Sequence, residues 1–159
     1  MTITLRAARS DDEPFLLQVY ASTRADEMAM VPWSVEQKQA FVQMQFDAQR
    51  KHYLQYYPGA EYFVIECDRL PIGRIIVDRS GSKILLMDIA LLSEYRNTGI
   101  GSRLVRDYQS EAKQASKPLR LHVENFNRAL QLYERLGFQK IAESGVYCEM
   151  EWCDDIRPD

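Results

Sequence analysis

Residues 88–101 contain the groups in this sequence that are best suited to bind an anion. The stretch leads from an apolar run into a predicted helix, and Gly99 and Gly101 lie in the first turn of that helix. The first N–H groups of a helix have no intrahelical partner, and the helix dipole places partial positive charge there. Glycine leaves these donors uncovered, and the Arg96 guanidinium could add a fork of donors for phosphate oxygens. The stretch therefore predicts a binding site for a diphosphate.

Two common nucleotide-binding motifs do not fit this glycine pattern. The dinucleotide fingerprint requires a third glycine three residues after the second, where this chain has Leu104, and the mononucleotide loop requires a Gly-Lys-Ser/Thr sequence that the chain lacks. What remains is Arg-x-x-Gly-x-Gly, preceded by Ile-Ala-Leu-Leu-Ser-Glu-Tyr. A second segment, residues 127–138, reads Asn-Arg-Ala-Leu-Gln-Leu-Tyr-Glu-Arg-Leu-Gly-Phe.

With these two motifs in this order, the chain resembles the GNAT superfamily of acyl-CoA-dependent N-acetyltransferases. The resemblance implies a mixed α/β (α+β) fold, with a central, twisted, mostly antiparallel mixed sheet of six to seven strands flanked by four helices. We expect residues 1–159 to form a single acyl-CoA N-acyltransferase domain, with a frayed tail at residues 153–159.

The order of apolar runs and breaks along the chain is consistent with that fold. Ser10 or Asp11 could cap the first helix, and the loss of periodicity between Ser22 and Pro32 predicts a loop. A capping box at residues 34–37 opens a long helix to about Tyr57, whose apolar arc is wider than docking on a sheet requires. Either the whole arc is core, or part of it lines a cleft. The predicted strands cover residues 3–7, 62–65, 72–77, 84–91, 119–124, 138–143 and 146–152, and the later helices residues 99–115 and 127–136.

Composition and charge limit the classes of partner. The chain has 159 residues and a formal net charge of -3, which gives no general attraction to nucleic acid or to an anionic membrane. Its three cysteines show no metal-ligand spacing, so no metal is expected, and reduced thiols in a cytoplasmic protein are the preferred interpretation. The sequence also has no signal-peptide pattern and no apolar run long enough to span a bilayer.

The resemblance to the GNAT superfamily implies acetyl-CoA as co-substrate, with its pyrophosphate on the first turn of the helix at Gly99. The fourth strand of that fold splays from the fifth, so that its backbone, at Ile89 and Leu91 here, bonds the pantetheine arm. Asn127 would contact the arm from the other side, although it stands two residues before Ala129 and many members of the family place this Asn three residues before the Ala. The residues expected to hold the pyrophosphate are Arg96, Asn97, Thr98, Gly99, Gly101 and Ser102.

Acyl transfer requires a neutral amine and protonation of the departing thiolate. The family often uses a Tyr on the penultimate helix as the acid, and Tyr133 occupies that position; an ordinary core aromatic is the alternative interpretation. Asp88 is a carboxylate in an otherwise apolar strand, so it must be paired, hydrogen-bonded or exposed to a wet cleft. Asp88, Glu124 and His122 are candidates for the base, and Asp88 and Glu124 are retained as site residues. An ordered water is the alternative base.

The leading hypothesis is an N-acetyltransferase that moves an acetyl group from acetyl-CoA to a primary amine of an unidentified acceptor by direct attack. The alternative is a noncatalytic acyl-CoA-binding regulatory module. A nucleic-acid binder is disfavoured because no basic stripe surrounds the predicted anion site. The acceptor is expected to be a small molecule or a peptide amine, and the sequence leaves a homodimer open.

Overall fold

The computed structural model describes residues 1–125, 127 and 129–154. These residues form two compact units: residues 1–76 with 89–96 make up the first, and residues 77–88 with the chain from 97 onward make up the second. Most of the tail predicted to be frayed, residues 155–159, lies outside the described residues.

A seven-stranded mixed sheet, mostly antiparallel, confirms the predicted fold class. The strands are β1 (Ile3–Ala7), β2 (Ala60–Cys67), β3 (Leu70–Asp78), β4 (Ile84–Leu91), β5 (Leu119–Glu124), β6 (Gln139–Ser144) and β7 (Tyr147–Trp152). Their order in the sheet is β1-β2-β3-β4-β5-β7-β6, so β7 lies between β5 and β6. β1 pairs with β2 antiparallel, β4 with β5 parallel, and β7 with both β5 and β6 antiparallel.

The described part of the chain has five α-helices, one more than the four predicted. The additional helix lies inside residues 22–32, where loss of periodicity predicted a loop, so that prediction is wrong. None of its five residues is buried, and Met28 is partly buried against the cluster of Tyr20, Val42 and Phe46. A single packed residue leaves no apolar periodicity in the sequence. The helices are α1 (Glu13–Thr23), α2 (Ala25–Ala29), α3 (Val35–Tyr56), α4 (Ile100–Ala115) and α5 (Ala129–Arg135).

In the first unit, a short 3-10 turn precedes α1 and its last residue, Asp12, is largely buried. Both guanidinium Nη atoms of Arg6 donate to the Asp12 carboxylate at 2.8 Å, and the Arg9 N–H donates to it at 2.7 Å. These bonds lower the pKa of Asp12 to about 2, with the Arg6 hydrogen bonds as the largest cause. The predicted capping of α1 by Ser10 or Asp11 is therefore wrong, because Asp12 is the N-terminal flanking residue of α1.

The α3 helix starts at the predicted capping box and packs through one face. The Gln37 N–H donates to Ser34 Oγ at 3.1 Å, and the Ser34 N–H donates to Gln37 Oε1 at 2.9 Å, which confirms the box. Phe46 packs on Tyr20 of α1, with ring centroids 5.7 Å apart. Met44 is 58% exposed, so the interpretation that the whole apolar arc of α3 is core is wrong.

In the second unit, α4 buries one face as its periodicity predicts. The C-terminal end of α5 follows the prediction as well: Gly137 has φ +97°, a left-handed conformation that glycine adopts without strain. The Gln109 side chain donates to the Leu136 carbonyl at 2.8 Å and so ties α4 to the end of α5. The buried residues of α4 include Ile100, Leu104, Val105, Tyr108 and Ala112.

Candidate functional site

The start of α4 is built by two residues in the left-handed conformation. Asn97 has φ +59° and Gly99 has φ +87°, and Gly99 is the residue that flanks the helix at its N-terminal end. The Arg103 N–H donates to the Gly99 carbonyl at 3.1 Å, the first bond of the helical ladder. The N–H groups of residues 100–102 come before that bond, and Gly99 has no side chain to cap them. The helix start can therefore donate to an anion.

The space outside this helix start is open. A Cβ atom built on Gly99 or on Gly101 would have no neighbouring atom within 4 Å. Gly99 is explained by its positive φ, which other residues adopt only with strain. Gly101 has no such explanation, because its backbone is helical and glycine in a helix costs roughly 0.5–1 kcal/mol relative to alanine. The absence of a side chain at residue 101 leaves room for something outside the fold.

Arg96, just before this turn, makes its contacts within the first unit. Its Nε donates to the Leu91 carbonyl at 3.0 Å, and its Nη2 donates to Ser22 Oγ at 3.2 Å. These bonds hold the chain that precedes α4 against the end of β4 and against α1. A guanidinium has five N–H donors, and the residue is exposed. The predicted fork to phosphate oxygens therefore has to coexist with a bracing role.

The parallel register of β4 with β5 ends before the positions predicted to bind pantetheine. It runs from Ile84↔Leu119 to Leu86↔Leu121, whereas β4 itself continues to Leu91. Three consecutive residues after Leu86 are partly exposed, in a strand whose first three residues are buried. Ile89 and Leu91 are both partly exposed. The second half of β4 thus continues beyond its register with β5 and includes partly exposed residues.

Tyr133 of α5 is 8% exposed, and its ring packs against Phe138 at a centroid distance of 5.7 Å. Burial raises the pKa of Tyr133 to about 12, and the negative charge of Asp88 adds to the rise. Asp88 is partly buried near the middle of β4. Two of the predicted catalytic residues, Tyr133 and Asp88, are therefore close enough in the structure for the charge of the carboxylate to raise the pKa of the phenol. The phenol stays protonated at neutral pH.

The other two candidates for the base lie on β5. Glu124 is the last residue of β5 and stands opposite Tyr147 of β7. His122 is exposed, and its Nε2 lies 3.9 Å from Glu149 Oε2. Among the charged groups of the described chain, Asp88 rather than either of these is the one that raises the Tyr133 pKa.

Asn127 accepts two hydrogen bonds from backbone N–H groups at the start of α5. Its Oδ1 accepts a hydrogen bond from the Ala129 N–H at 2.9 Å, and its carbonyl accepts one from the Leu130 N–H at 3.0 Å. The two-residue spacing between Asn127 and Ala129 thus serves the capping role that the sequence predicts.

Sequence reasoning missed Gly73, a buried glycine inside β3. A Cβ atom at this position would lie 2.2 Å from the Ala90 carbonyl oxygen. The available signal was a glycine inside an otherwise apolar strand, which often marks a close approach of another backbone.

Within the described residues, no group of three or more His, Cys, Asp or Glu side chains is arranged to hold a metal ion. None of the helices described in the structure combines the length and the apolar character needed to cross a membrane.

Comparison with known proteins agrees with the class that the fold and the two motifs define. The family model of the acetyltransferase (GNAT) domain matches residues 58–140, just over half of the chain. The chain therefore belongs to the GNAT acetyltransferase family, and the prediction made from its motifs is confirmed.

Individual relatives are similar over different parts of the chain. The thialysine N-ε-acetyltransferase of Bos taurus is 39% identical over 71 residues, a match that takes in 43% of this chain and 42% of that protein, so less than half of that relative's length is spanned. The PaiA N-acetyltransferase of Thermoplasma acidophilum, solved in complex with coenzyme A, is 20% identical with a TM-score of 0.74 over 97% of this chain and 100% of that one. The spermidine N-acetyltransferase of Vibrio cholerae, solved with CoA and spermine, is 19% identical with a TM-score of 0.65 over 95% of each chain. The two solved structures show the shared fold.

Proposed function

We propose that this protein transfers an acetyl group from acetyl-CoA to a primary amine. The observation that carries the proposal is the open, glycine-lined start of α4, where Gly101 leaves space that the fold itself does not need. A diphosphate placed there would accept hydrogen bonds from the first N–H groups of the helix and gain from its dipole. Membership of the GNAT family and the CoA complex of the PaiA relative support the choice of coenzyme A.

The residues proposed to bind acetyl-CoA fall into three groups. The first turn of α4, with Asn97, Thr98 and Ser102, takes the pyrophosphate, and Arg96 assists it. The backbone of the partly exposed residues Ile89 and Leu91 takes the pantetheine arm. Asn127 contributes mainly by capping α5, because its Oδ1 already accepts a bond from Ala129.

The reaction joins the amine nitrogen to the thioester carbonyl carbon and breaks the carbon–sulfur bond, so the amine loses a proton and CoA leaves as a thiolate. A phenol of pKa about 12 is a weaker acid than a thiol, whose ordinary pKa is about 8.5. Full proton transfer from Tyr133 to the thiolate is therefore uphill. Donation of a hydrogen bond to the developing negative charge on sulfur is the role that this pKa favours.

The amine must lose its proton to a base on the protein or to water. Asp88 is the stronger candidate because its negative charge raises the pKa of the Tyr133 phenol, and Glu124 is the second candidate. Either carboxylate would also attract a cationic amine. The similarity to acetyltransferases named for thialysine and spermidine supports an amine acceptor of this kind.

We also propose that residues 1–159 act as a single acyltransferase domain. The matched family model, residues 58–140, runs through parts of both compact units. If the activity needed only one of the two units, the matched family region would not have to include parts of both.

The proposal is tested by following release of free thiol from acetyl-CoA with a panel of primary amines. Release that depends on the amine, together with mass-spectrometric detection of the acetylated product, is the expected result. Binding of acetyl-CoA without release across diamines, polyamines, lysine analogues and peptide N-termini would instead favour a noncatalytic acyl-CoA-binding module.

A further inference from the structure

Gly73 in β3 lies extremely close to the backbone of β4. A Cβ atom at residue 73 would be 2.2 Å from the Ala90 carbonyl oxygen and 3.1 Å from the Leu91 Cα. Carbon and oxygen atoms that are not bonded do not approach to 2.2 Å. The obstacle is backbone, so no change of rotamer could relieve it, and any side chain at residue 73 would force one strand to move.

The segment of β4 that faces Gly73 is fixed just beyond this contact. The Leu92 N–H donates to the Ile72 carbonyl at 2.8 Å, and Arg96 Nε donates to the Leu91 carbonyl at 3.0 Å. With its far end held by these two bonds, β4 can accommodate a displaced Ala90 carbonyl only by rotating the neighbouring peptide groups. Those groups belong to Ile89 and Leu91.

We propose that Gly73 is a positioning residue for the pantetheine arm: by carrying no side chain it lets the Ala90 carbonyl stand where it does, and so sets the backbone of residues 89–91. The proposal rests on the proposed function, in which Ile89 and Leu91 bind pantetheine. The proposal also explains why a glycine stands at a buried strand position. Glycine weakens the interior of a strand, and it often marks a site where another backbone approaches closely.

The test separates the two halves of coenzyme A. Adenosine 3′-phosphate 5′-diphosphate carries the diphosphate without the pantetheine arm, and CoA carries both. For Gly73→Ala we expect the Kd for CoA to rise about tenfold, as for loss of one backbone hydrogen bond, while the Kd for the nucleotide stays within about twofold of the wild-type value. Gly81→Ala is the matched control, because a Cβ at residue 81 would meet nothing within 4 Å.

Two results would overturn the proposal: unchanged affinity for both ligands, or an equal loss for both, which is what a merely structural role predicts. Failure of the proposed function looks different, because wild-type protein would then either fail to bind CoA or bind acetyl-CoA without releasing free thiol in the presence of an amine.

If Gly73→Ala does not fold, amide hydrogen exchange in the wild-type protein tests the proposal instead. CoA should slow exchange at residues 89–91 and at Gly73 together, and the nucleotide should slow neither. Protection of residues 89–91 by CoA with unchanged exchange at Gly73 would show that the two strands are not coupled, and the proposal would be wrong.

Discussion

The Asp88 carboxylate of β4 raises the pKa of the Tyr133 phenol of α5, and burial raises it further, to about 12. The effect of burial is the larger of the two. Both causes disfavour the phenolate, so Tyr133 keeps its proton at neutral pH. A hydrogen-bond donor that keeps its proton at neutral pH is suited to the proposed role, donation to a sulfur atom that gains negative charge.

Replacement of Tyr133 by phenylalanine removes this donor and keeps the ring that packs on Phe138. We expect turnover to fall roughly a hundredfold, which is the low end of the contribution of a positioned donor, with little change in the Michaelis constant for acetyl-CoA. Steady-state kinetics at saturating amine would measure both quantities. Unchanged turnover would remove Tyr133 from the mechanism and leave it as a core aromatic.

Replacement of Asp88 by asparagine removes the negative charge but leaves the burial of the phenol. The Tyr133 pKa should therefore fall below about 12 and remain above its ordinary value of about 10. An ultraviolet titration of phenolate formation, with the titration of Tyr133→Phe subtracted, gives this pKa. Glu124→Gln is the control and should leave the Tyr133 pKa where it is. A pKa that moves with Glu124 and not with Asp88 would reverse the assignment of the neighbouring carboxylate.

Arg96 braces the chain before α4 through Leu91 and Ser22, and it is also the predicted contributor to phosphate binding. Arg96→Ala should raise the Kd for CoA about tenfold or more, because a charge-assisted contact and a brace are lost together. Arg106→Ala removes the same charge from an exposed position further along α4 and should have a small effect. Calorimetry at two salt concentrations would compare them. Equal losses in both variants would indicate a general charge effect instead of a role for Arg96.

Asp12 makes the stability of the first unit depend on pH. Its pKa is about 2 in the folded protein and about 3.9 when unfolded, so the stabilisation is present above pH 4 and is lost as the pH falls towards 2. The free energy of unfolding of Asp12→Asn should therefore vary less than that of wild type across this window. Asp11→Asn, at an exposed neighbouring carboxylate, should follow wild type. Denaturant unfolding at several pH values would show whether the two variants differ in this way.

Much of the fold could be predicted from local signals. The capping box at Ser34, the amphipathic period of α4 and the glycine at residue 137 each report a local requirement of the backbone, and the structure shows all three. The short helix α2 was missed because a helix with no buried residue leaves no periodic pattern. The sequence leaves open which apolar residues of α3 are core, because an apolar arc does not say which of its residues meet a neighbour.

The candidate site could be predicted from the sequence only where the role of a residue is set by its own short segment of the chain. Gly99 and Gly101 mark the helix start within one short segment, whereas the effect of Asp88 on the pKa of Tyr133 involves two elements that are far apart in the sequence. The contact of Gly73 with Ala90 is of the same kind, because seventeen positions in the chain separate two backbones that touch. The bracing of Arg96 on Ser22 also joins distant segments, and the spacing within a motif cannot show it.

The measurement that bears most directly on the central claim is binding of adenosine 3′-phosphate 5′-diphosphate to Gly101→Glu and Gly81→Glu. Both glycines have open space beyond them, so both variants should fold, and both add the same charge. We expect Gly101→Glu to abolish binding, because a side chain and a like charge then occupy the place of the diphosphate, while Gly81→Glu binds as wild type does. Wild-type affinity in the folded Gly101→Glu variant would show that the start of α4 does not bind the diphosphate and would place the phosphate site elsewhere on the chain.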